Sequence, residues 1–150
     1  MAANNNNFTV RSLLHETGRH RPHGQCGPNL ANCQCENDHV IELRMVVEAL
    51  NKLPYGTYSH NALATLVDFF NKNHRNWERL SHDVHQQKTR AVDKWIRGQY
   101  LSDDEMVWID FIRHVWIGQS QRQLGQGFDQ FKQALNSVLR MTSEQRTHAI

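Results

Sequence analysis

The stretch that decides the fold reads NWERLSHDVHQQKT and runs from Asn76 to Thr89. An asparagine opens it, His85 follows nine residues later, and a Lys-Thr pair closes it. Ser81 or Asp83 can cap a helix here, because a short polar side chain accepts a hydrogen bond from the free N–H groups of a first helical turn. The sequence therefore predicts a helix that starts near Ser81, carries His85 and stops at Gly98, where glycine suits a helix end.

Outward from this stretch, the chain is predicted to be mainly helical. Apolar residues recur at helical spacing across about 42–70, a segment interrupted by a turn at Pro54. Ser102, with Glu105 three residues later, is a strong helix start. The helix that follows is expected to end near residue 118, before a Gly- and Gln-rich linker and a last helix. We expect one short β-hairpin beside these helices, so the predicted fold class is mainly α with a small β-hairpin.

The composition is that of a single folded domain. A chain of 150 residues is long enough to bury a core, and four tryptophans and six phenylalanines supply large side chains for it. We divide the domain into a tail and short helix at 1–17, a core at 18–99 and a C-terminal helical extension at 100–150. No run of eighteen apolar residues is present, which argues against a transmembrane helix. Because the Asn-rich start also lacks the apolar stretch of a signal peptide, we expect an intracellular protein, of the cytoplasm or nucleus, with no membrane partner.

Positive charge is concentrated around the opening stretch. Residues 71–99 contain seven lysines and arginines against three acidic residues, whereas residues 100–150 are about neutral. A local excess of this kind attracts polyanions such as nucleic acid. The alternative explanation is a solvated helix face.

Four residues form a candidate hydrolytic site. Asp38 and His85 are a carboxylate and an imidazole that can hold a divalent ion while leaving positions open for substrate oxygens. His39 is suited to a general base, because the ordinary pKa of histidine is about 6.5. Adjacent side chains of a strand point to opposite faces, so a bulge or turn is expected if Asp38 and His39 serve one site. Together with Asn76, these residues are the parts of a one-metal site that cleaves phosphodiester bonds.

The same positions carry a resemblance to the HNH endonucleases, also called ββα-metal nucleases. In that family the asparagine is followed by an apolar residue at +1, leucine at +4, histidine at +9 and Lys-Thr or Lys-Ser at +12 and +13. The residues at those offsets here are Trp77, Leu80, His85, Lys88 and Thr89. Upstream, the Asp-His-Val tripeptide that starts at Asp38 is similar to the family's Asp-His-Ile or Asp-His-Val.

The resemblance implies a fold and a set of roles. Asp38 and His85 would be metal ligands, His39 the general base, and Asn76 a brace for the hairpin loop. The fold would be a ββα-metal core, in which a short hairpin packs on the helix of His85. The gap between the two halves of the motif is long and residues 42–70 look helical, so we infer a helical insertion at about 42–70 between the two strands. The resemblance covers about residues 36–97, and the C-terminal helices have no counterpart in it. Family members usually cut DNA with Mg²⁺ or a related divalent ion, and Mn²⁺, Ni²⁺ and Zn²⁺ are the other candidates.

The chain departs from the family at a structural zinc site. Many members carry two Cys-x-x-Cys pairs, the second at positions that are Ser81 and Val84 here. The three cysteines of this chain instead lie upstream, and with one histidine they form a different candidate for structural Zn²⁺. That candidate consists of His23, Cys26, Cys33 and Cys35. Free thiols or a disulfide are the alternatives, since an odd number of cysteines does not close a disulfide framework.

Basic residues of the helix that carries His85 are candidates for contacts to phosphate. They are Lys88, Arg90 and Lys94. The alternative is a helix-surface charge for Lys88 and a solvated face for the other two.

The leading functional hypothesis is a one-metal endonuclease that hydrolyses phosphodiester bonds in DNA. RNA stays open as a substrate, because such a site contacts phosphates more than sugars. A nucleic-acid-binding module with weak catalysis, and a helical interaction protein with a fortuitous Asp-His-Asn set, are the alternatives. Nucleic acid, DNA before RNA, is the expected partner. An inhibitor protein or a second copy of the chain is also a candidate, the latter because the helix after Ser102 has apolar residues on more than one face.

Overall fold

The structure, a computed structural model, describes residues 4–19 and 35–148. It is mainly helical with one small two-stranded antiparallel sheet, which confirms the predicted fold class at that level. In chain order the elements are α1 (Val10–Thr17), β1 (Cys35–His39), α2 (Leu43–Leu50), α3 (His60–Lys72), a 3₁₀ turn (His74–Asn76), β2 (Trp77–Ser81), α4 (His82–Ile96), α5 (Asp103–Val115), a π-helical turn (Trp116–Ser120), α6 (Gln121–Gln123) and α7 (Asp129–His148).

The sheet pairs two strands that are far apart in the sequence. β1 and β2 run antiparallel, with Asp38 opposite Glu78 and His39 opposite Trp77. Both α2 and α3 lie between them, where the sequence predicted a helical insertion at about 42–70. The connection is therefore a helical excursion that leaves the sheet at the end of β1 and returns at the start of β2.

Serine side chains start three of the helices. The hydroxyls of Ser59, Ser81 and Ser102 each accept a hydrogen bond from the N–H three residues further on, at 3.2 to 3.3 Å. Glu105 reciprocates at the last of these caps by accepting from the Ser102 N–H at 3.0 Å. The cap at Ser81 matters most for the site, because α4 begins directly after β2 without a loop.

The helices bury their apolar stripes in one core. α2 and α3 contribute the residues that the sequence placed there, and α5 and α7 pack against them. The largest fully buried apolar side chains include Met45, Leu50, Leu66, Phe70, Ile109, Ile112, Trp116 and Phe131. Burying a side chain of this size contributes about 1.5–3 kcal/mol, so this core fixes where α3 ends and where the residues after it begin.

The helix after Ser102 does not end near residue 118, as the sequence predicted. It continues from α5 through the π-helical turn into α6. Trp116 is fully buried, and its indole N–H donates to the Asn136 side chain at 2.6 Å. A π turn adds a residue to the helix locally, and here it keeps both Trp116 and Ser120 buried. Packing of the tryptophan thus overrides the helix-ending tendency of Gly118.

Helix α5 has two apolar faces, and the structure separates them. Met106, Ile109 and Ile112 are buried in the core, whereas Val107 is 63% exposed and Ile117, in the π-helical turn that continues α5, is 58% exposed. None of the described helices is both long and apolar enough to cross a membrane.

Candidate active site

Asp38 and His85 meet at the junction of the sheet and α4. Asp38 lies near the end of β1, and His85 lies in the first turn of α4, which follows β2 directly. The His85 Nε2 atom is 3.1 Å from Asp38 Oδ1. The carboxylate is 6% exposed and the imidazole 29% exposed, so the pair has one buried and one accessible side.

Lys88 is the second partner of the carboxylate. It follows His85 by three residues, which places both side chains on one face of α4. Its ammonium pairs with Asp38 Oδ2 and donates to the His39 carbonyl at 2.7 Å. The residue is 1% exposed, so the lysine is an internal cation and not the surface charge or phosphate contact that the sequence suggested.

The separation of the two donor atoms fits a shared metal ion. Two ligands about 2.1 Å from one ion lie about 3.0 Å apart at a right angle and about 3.4 Å apart in a tetrahedron. The 3.1 Å between Asp38 Oδ1 and His85 Nε2 lies in this interval. It also equals a hydrogen bond from the imidazole to the carboxylate. The arrangement therefore suits a divalent ion, and it is also self-consistent as an ion pair.

Asn76 clamps the two strands where the sheet ends. Its side-chain oxygen accepts from the Ile41 N–H at 2.9 Å, and its amide nitrogen donates to the carbonyls of Ile41 at 3.1 Å and Phe70 at 2.8 Å. Its own carbonyl accepts from the Val40 N–H at 2.7 Å. Asn76 is 1% exposed, so all these bonds are shielded from water. The side chain ties the end of β1, the end of α3 and the start of β2 into one rigid unit.

His39 contacts a different set of neighbours from Asp38. The β1–β2 pairing is regular through this residue, so the two adjacent side chains take opposite faces, without the bulge or turn that the sequence led us to expect for a shared site. The His39 Nε2 atom is 3.1 Å from the Asn71 carbonyl, and its ring packs edge-on against Trp77 at 5.9 Å between centroids. A carbonyl only accepts hydrogen bonds, so Nε2 carries the proton and, in the neutral imidazole, Nδ1 is the basic nitrogen. The structure brings Asp38, His85 and Lys88 together and sets His39 beside them, joined through its backbone carbonyl to Lys88.

The other two candidate phosphate contacts differ from each other. Lys94 pairs with Glu105 at 2.9 Å, so its charge is already matched. Arg90 is exposed on α4. Of the three basic residues singled out on this helix, Arg90 alone presents an exposed cation with no carboxylate partner among the described residues.

The candidate zinc site falls largely outside the described part of the chain. His23, Cys26 and Cys33 lie outside the described residues. Cys35 begins β1, but its side chain is not among those described.

Two residues that support the site were not singled out from the sequence. The Asn71 carbonyl accepts from both the His39 ring and the Trp77 indole, the latter at 2.9 Å. Arg44 on α2 pairs with Asp93 and donates to the Thr89 carbonyl at 3.3 Å, which ties α2 to α4. No sequence signal marks the first, because every residue has a backbone carbonyl. The second depends on a contact between residues 49 apart.

Within residues 4–19 and 35–148, no group of three or more histidine, cysteine or acidic side chains could hold a metal ion. Asp38 and His85 could therefore supply two protein ligands at most, and a hard cation there would fill its other positions with water and substrate oxygens. Comparison with known proteins returned no match among family models, curated proteins or solved structures.

Proposed function

We propose that this chain is a divalent-metal-dependent endonuclease that hydrolyses phosphodiester bonds in DNA, on a ββα-metal core. One observation carries the proposal: a strand carboxylate and a helix imidazole, Asp38 and His85, lie at metal-sharing distance. They come from a two-stranded sheet and the helix that follows it directly, which is the arrangement that the sequence resemblance implies. Asn76, the third part of the motif, supports the proposal because it clamps the strands that carry Asp38.

Asp38 and His85 are the proposed ligands, and Lys88 decides how Asp38 binds. Because the ammonium holds Oδ2, only Oδ1 faces His85, and the carboxylate offers a single oxygen to an ion. A divalent ion such as Mg²⁺ bound there would polarise the phosphoryl oxygen and neutralise charge in the transition state.

His39 is the proposed general base, and because its side chain takes the opposite strand face from Asp38, this role requires the end of β1 to turn toward the ion when substrate binds. With its Nε2 proton held by the Asn71 carbonyl, the neutral ring presents Nδ1 as the acceptor of a proton from water. The edge-on contact with Trp77 limits rotation of the ring. Both contacts set the tautomer and orientation of the imidazole in the protein without substrate.

The charge of the site makes substrate part of the ion's binding. The charges of Asp38 and Lys88 cancel, so these side chains together offer little net attraction to a divalent cation. A phosphodiester supplies the missing negative charge. We expect the ion to bind weakly to the protein alone and more tightly in the presence of DNA.

The proposal is tested by digestion of supercoiled plasmid with Mg²⁺ or Mn²⁺, beside an RNA substrate of similar length. His39→Ala should lower the cleavage rate by about 10²–10⁴, the usual contribution of a general base. Asp38→Asn and His85→Gln should abolish metal-dependent cleavage. His60→Ala is the matched control, because His60 is an exposed histidine that lies beside Glu16 on α1.

Unchanged cleavage in His39→Ala and His85→Gln would contradict the proposal, as would cleavage that persists in excess chelator. Preferential digestion of the RNA would keep the chemistry and change the substrate.

A second candidate function is a nucleic-acid-binding module with weak or no catalysis. The observation that favours it is the Lys88–Asp38 pair, which holds the carboxylate in place without any metal ion. DNA binding by the unaltered protein, with no cleavage under any divalent ion, would select this candidate.

A further inference from the structure

A groove lies between the 3₁₀ turn that leads into β2 and the π-helical turn with α6. Its volume is about 560 Å³, and it is lined by Arg75, Gln119, Arg122 and Gln123. Arg75 belongs to the 3₁₀ turn that leads into β2, while the other three belong to the π-helical turn and α6. The Asn73 side chain donates to Gln123 at 3.3 Å and joins the two walls.

The two arginines of this groove have no acidic partner in the described part of the chain. Both are exposed, and the guanidinium of Arg122 is oriented by donating to the Gly118 carbonyl at 2.5 Å. Several other basic side chains of the fold are matched by carboxylates: Arg19 with Asp68, Arg44 with Asp93, and Lys94 with Glu105. The groove therefore concentrates positive charge that the protein does not neutralise itself.

The two segments that form the walls of the groove contain no acidic residue. No aspartate or glutamate occurs in residues 69–77 or in residues 111–128. Glutamine amides can donate to phosphate oxygens or base edges, and guanidinium groups match phosphate with two parallel donors. The lining thus has the chemistry of a surface that binds the backbone of a nucleic-acid strand.

The groove is joined to the candidate active site by a short piece of chain. The Asn71 carbonyl holds the His39 ring, and Arg75 follows four residues later. Four residues span at most about 14 Å, which is about four nucleotides along one strand of duplex DNA.

We propose that this groove binds the phosphate backbone of the substrate strand within a few nucleotides of the bond to be cut. The inference rests on the proposed nuclease function for the position of the scissile bond. Arg75 and Arg122 supply the charge, and Gln119 and Gln123 supply neutral donors beside it. The π-helical turn contributes to this arrangement, because it exposes Gln119 to solvent while Trp116 and Ser120 stay buried.

The test compares Arg75→Gln/Arg122→Gln with the parent protein in two assays. The first is binding of a fluorescent 24-base-pair duplex in excess chelator, measured by anisotropy over a range of salt. The logarithm of the affinity falls as the logarithm of the salt concentration rises. Losing two phosphate contacts should make this fall less steep, by about 2 in the slope. Arg75→Lys/Arg122→Lys should keep most of the slope, because it keeps the charges. Arg11→Gln removes one exposed charge from α1, outside the groove, and should leave the slope within about 0.5 of the parent's.

The second assay is cleavage with Mn²⁺. The glutamine double variant should raise KM for plasmid roughly tenfold, since hydrogen bonds between charged groups are lost. It should leave hydrolysis of bis(p-nitrophenyl) phosphate unchanged, because that small diester reaches only the reacting centre.

The outcomes separate this inference from the proposed function. A duplex-binding slope that does not change in the glutamine variant overturns the groove, even if His39→Ala stops cleavage. A slope that falls by about 2 in a protein that cleaves nothing supports the groove as a nucleic-acid surface and removes the nuclease proposal. Binding of 5′-AMP, a small phosphate probe, is measured in the same way. If the glutamine double variant loses 5′-AMP binding but keeps duplex binding, the groove is a site for a small phosphate ligand and the inference is overturned. Far-ultraviolet circular dichroism of each variant establishes that it is folded.

Discussion

Two carboxylates of this protein are held by basic residues from distant parts of the chain, and the two pairs are built differently. Asp68 on α3 receives both arms of the Arg19 guanidinium, at 2.7 and 2.9 Å, and the side chains are 30% and 37% exposed. Asp38 on β1 receives the Lys88 ammonium on one oxygen only, and these side chains are 6% and 2% exposed.

The difference leaves one oxygen of Asp38 facing a histidine, whereas both oxygens of Asp68 are taken by one arginine. A guanidinium fork occupies both oxygens of Asp68, which satisfies that carboxylate and ties α3 to the residue two positions after α1. An ammonium is a point charge, so it holds Asp38 by one oxygen and leaves the other facing His85. Burial makes the Asp38 pair more costly to break, and the one-oxygen contact with Lys88 leaves the second oxygen of Asp38 facing His85. The Asp68 pair has neither property.

The largest effect on this comparison is expected from Lys88→Met. It leaves a buried carboxylate without its cation, which costs about 3–5 kcal/mol of unfolding free energy. Urea denaturation measures the loss. Lys94→Met is the matched control on the same helix, and its partly exposed pair with Glu105 should lose about 1 kcal/mol or less. Equal losses in the two variants would show that Asp38 does not depend on Lys88, and Asp38→Asn/Lys88→Met should recover most of the loss.

The next effect is expected from Asn76→Ala. It leaves the Ile41 N–H and two buried carbonyls without their partner, at a cost of about 2–3 kcal/mol. Asn73→Ala is the control, since that side chain makes one partly buried bond across the groove. The two are compared by urea denaturation. If Asn76→Ala loses no more unfolding free energy than Asn73→Ala, Asn76 does not clamp the two strands.

A smaller effect is expected from adding a divalent ion. Free Mn²⁺ at ten times its dissociation constant should stabilise the protein by about 1.4 kcal/mol, and thermal denaturation measures the gain. Asp38→Asn should abolish the gain, whereas Asp68→Asn should keep it, because both oxygens of Asp68 already bind Arg19. The same stabilisation of both variants would place the ion elsewhere.

The smallest effect concerns pH and the exposed pair. The hydrogen bond from Arg19 lowers the pKa of Asp68 below its ordinary value, against an opposing contribution from burial. A carboxylate with a depressed folded-state pKa contributes stability that is fully present above its unfolded pKa, about 3.9, and is lost as pH falls through the lower folded value. Subtracting the denaturation curve of Asp68→Asn from that of the parent should show a difference that fades only below about pH 4. A difference that instead disappears at higher pH would mean that Arg19 does not hold this carboxylate.

Local signals were the most reliable part of the sequence. Ser102 caps the helix that it was predicted to cap, and Ser81 caps α4 as one of the two residues, Ser81 or Asp83, that the sequence offered for that role. The hydrogen bonds of a cap span only three residues, so they can be predicted locally. The apolar stripes of α2 and α3 are buried as their spacing predicted. The predicted end of the helix that begins with α5 was wrong, because the burial of Trp116 against Phe131 outweighs the tendency of Gly118 to end a helix.

The candidate site shows the same division. The motif identified Asp38, His39, Asn76 and His85 as a set, and the structure places Asp38 beside His85. It did not identify Lys88 as the buried partner of Asp38, since nothing in the sequence around either residue marks a contact across 50 positions. The groove was missed for the same reason, as Arg75 and Arg122 become neighbours only through folding.

The sequence by itself determined which segments are helical, where most of them start and which residue types can do chemistry, because those properties depend on neighbours within one or two turns. Only the tertiary structure decided that one oxygen of Asp38 is bound by Lys88 while the other faces His85. It alone also decided that two arginines share a groove. Such outcomes depend on how strands and helices pack, and packing is set by the whole buried core at once.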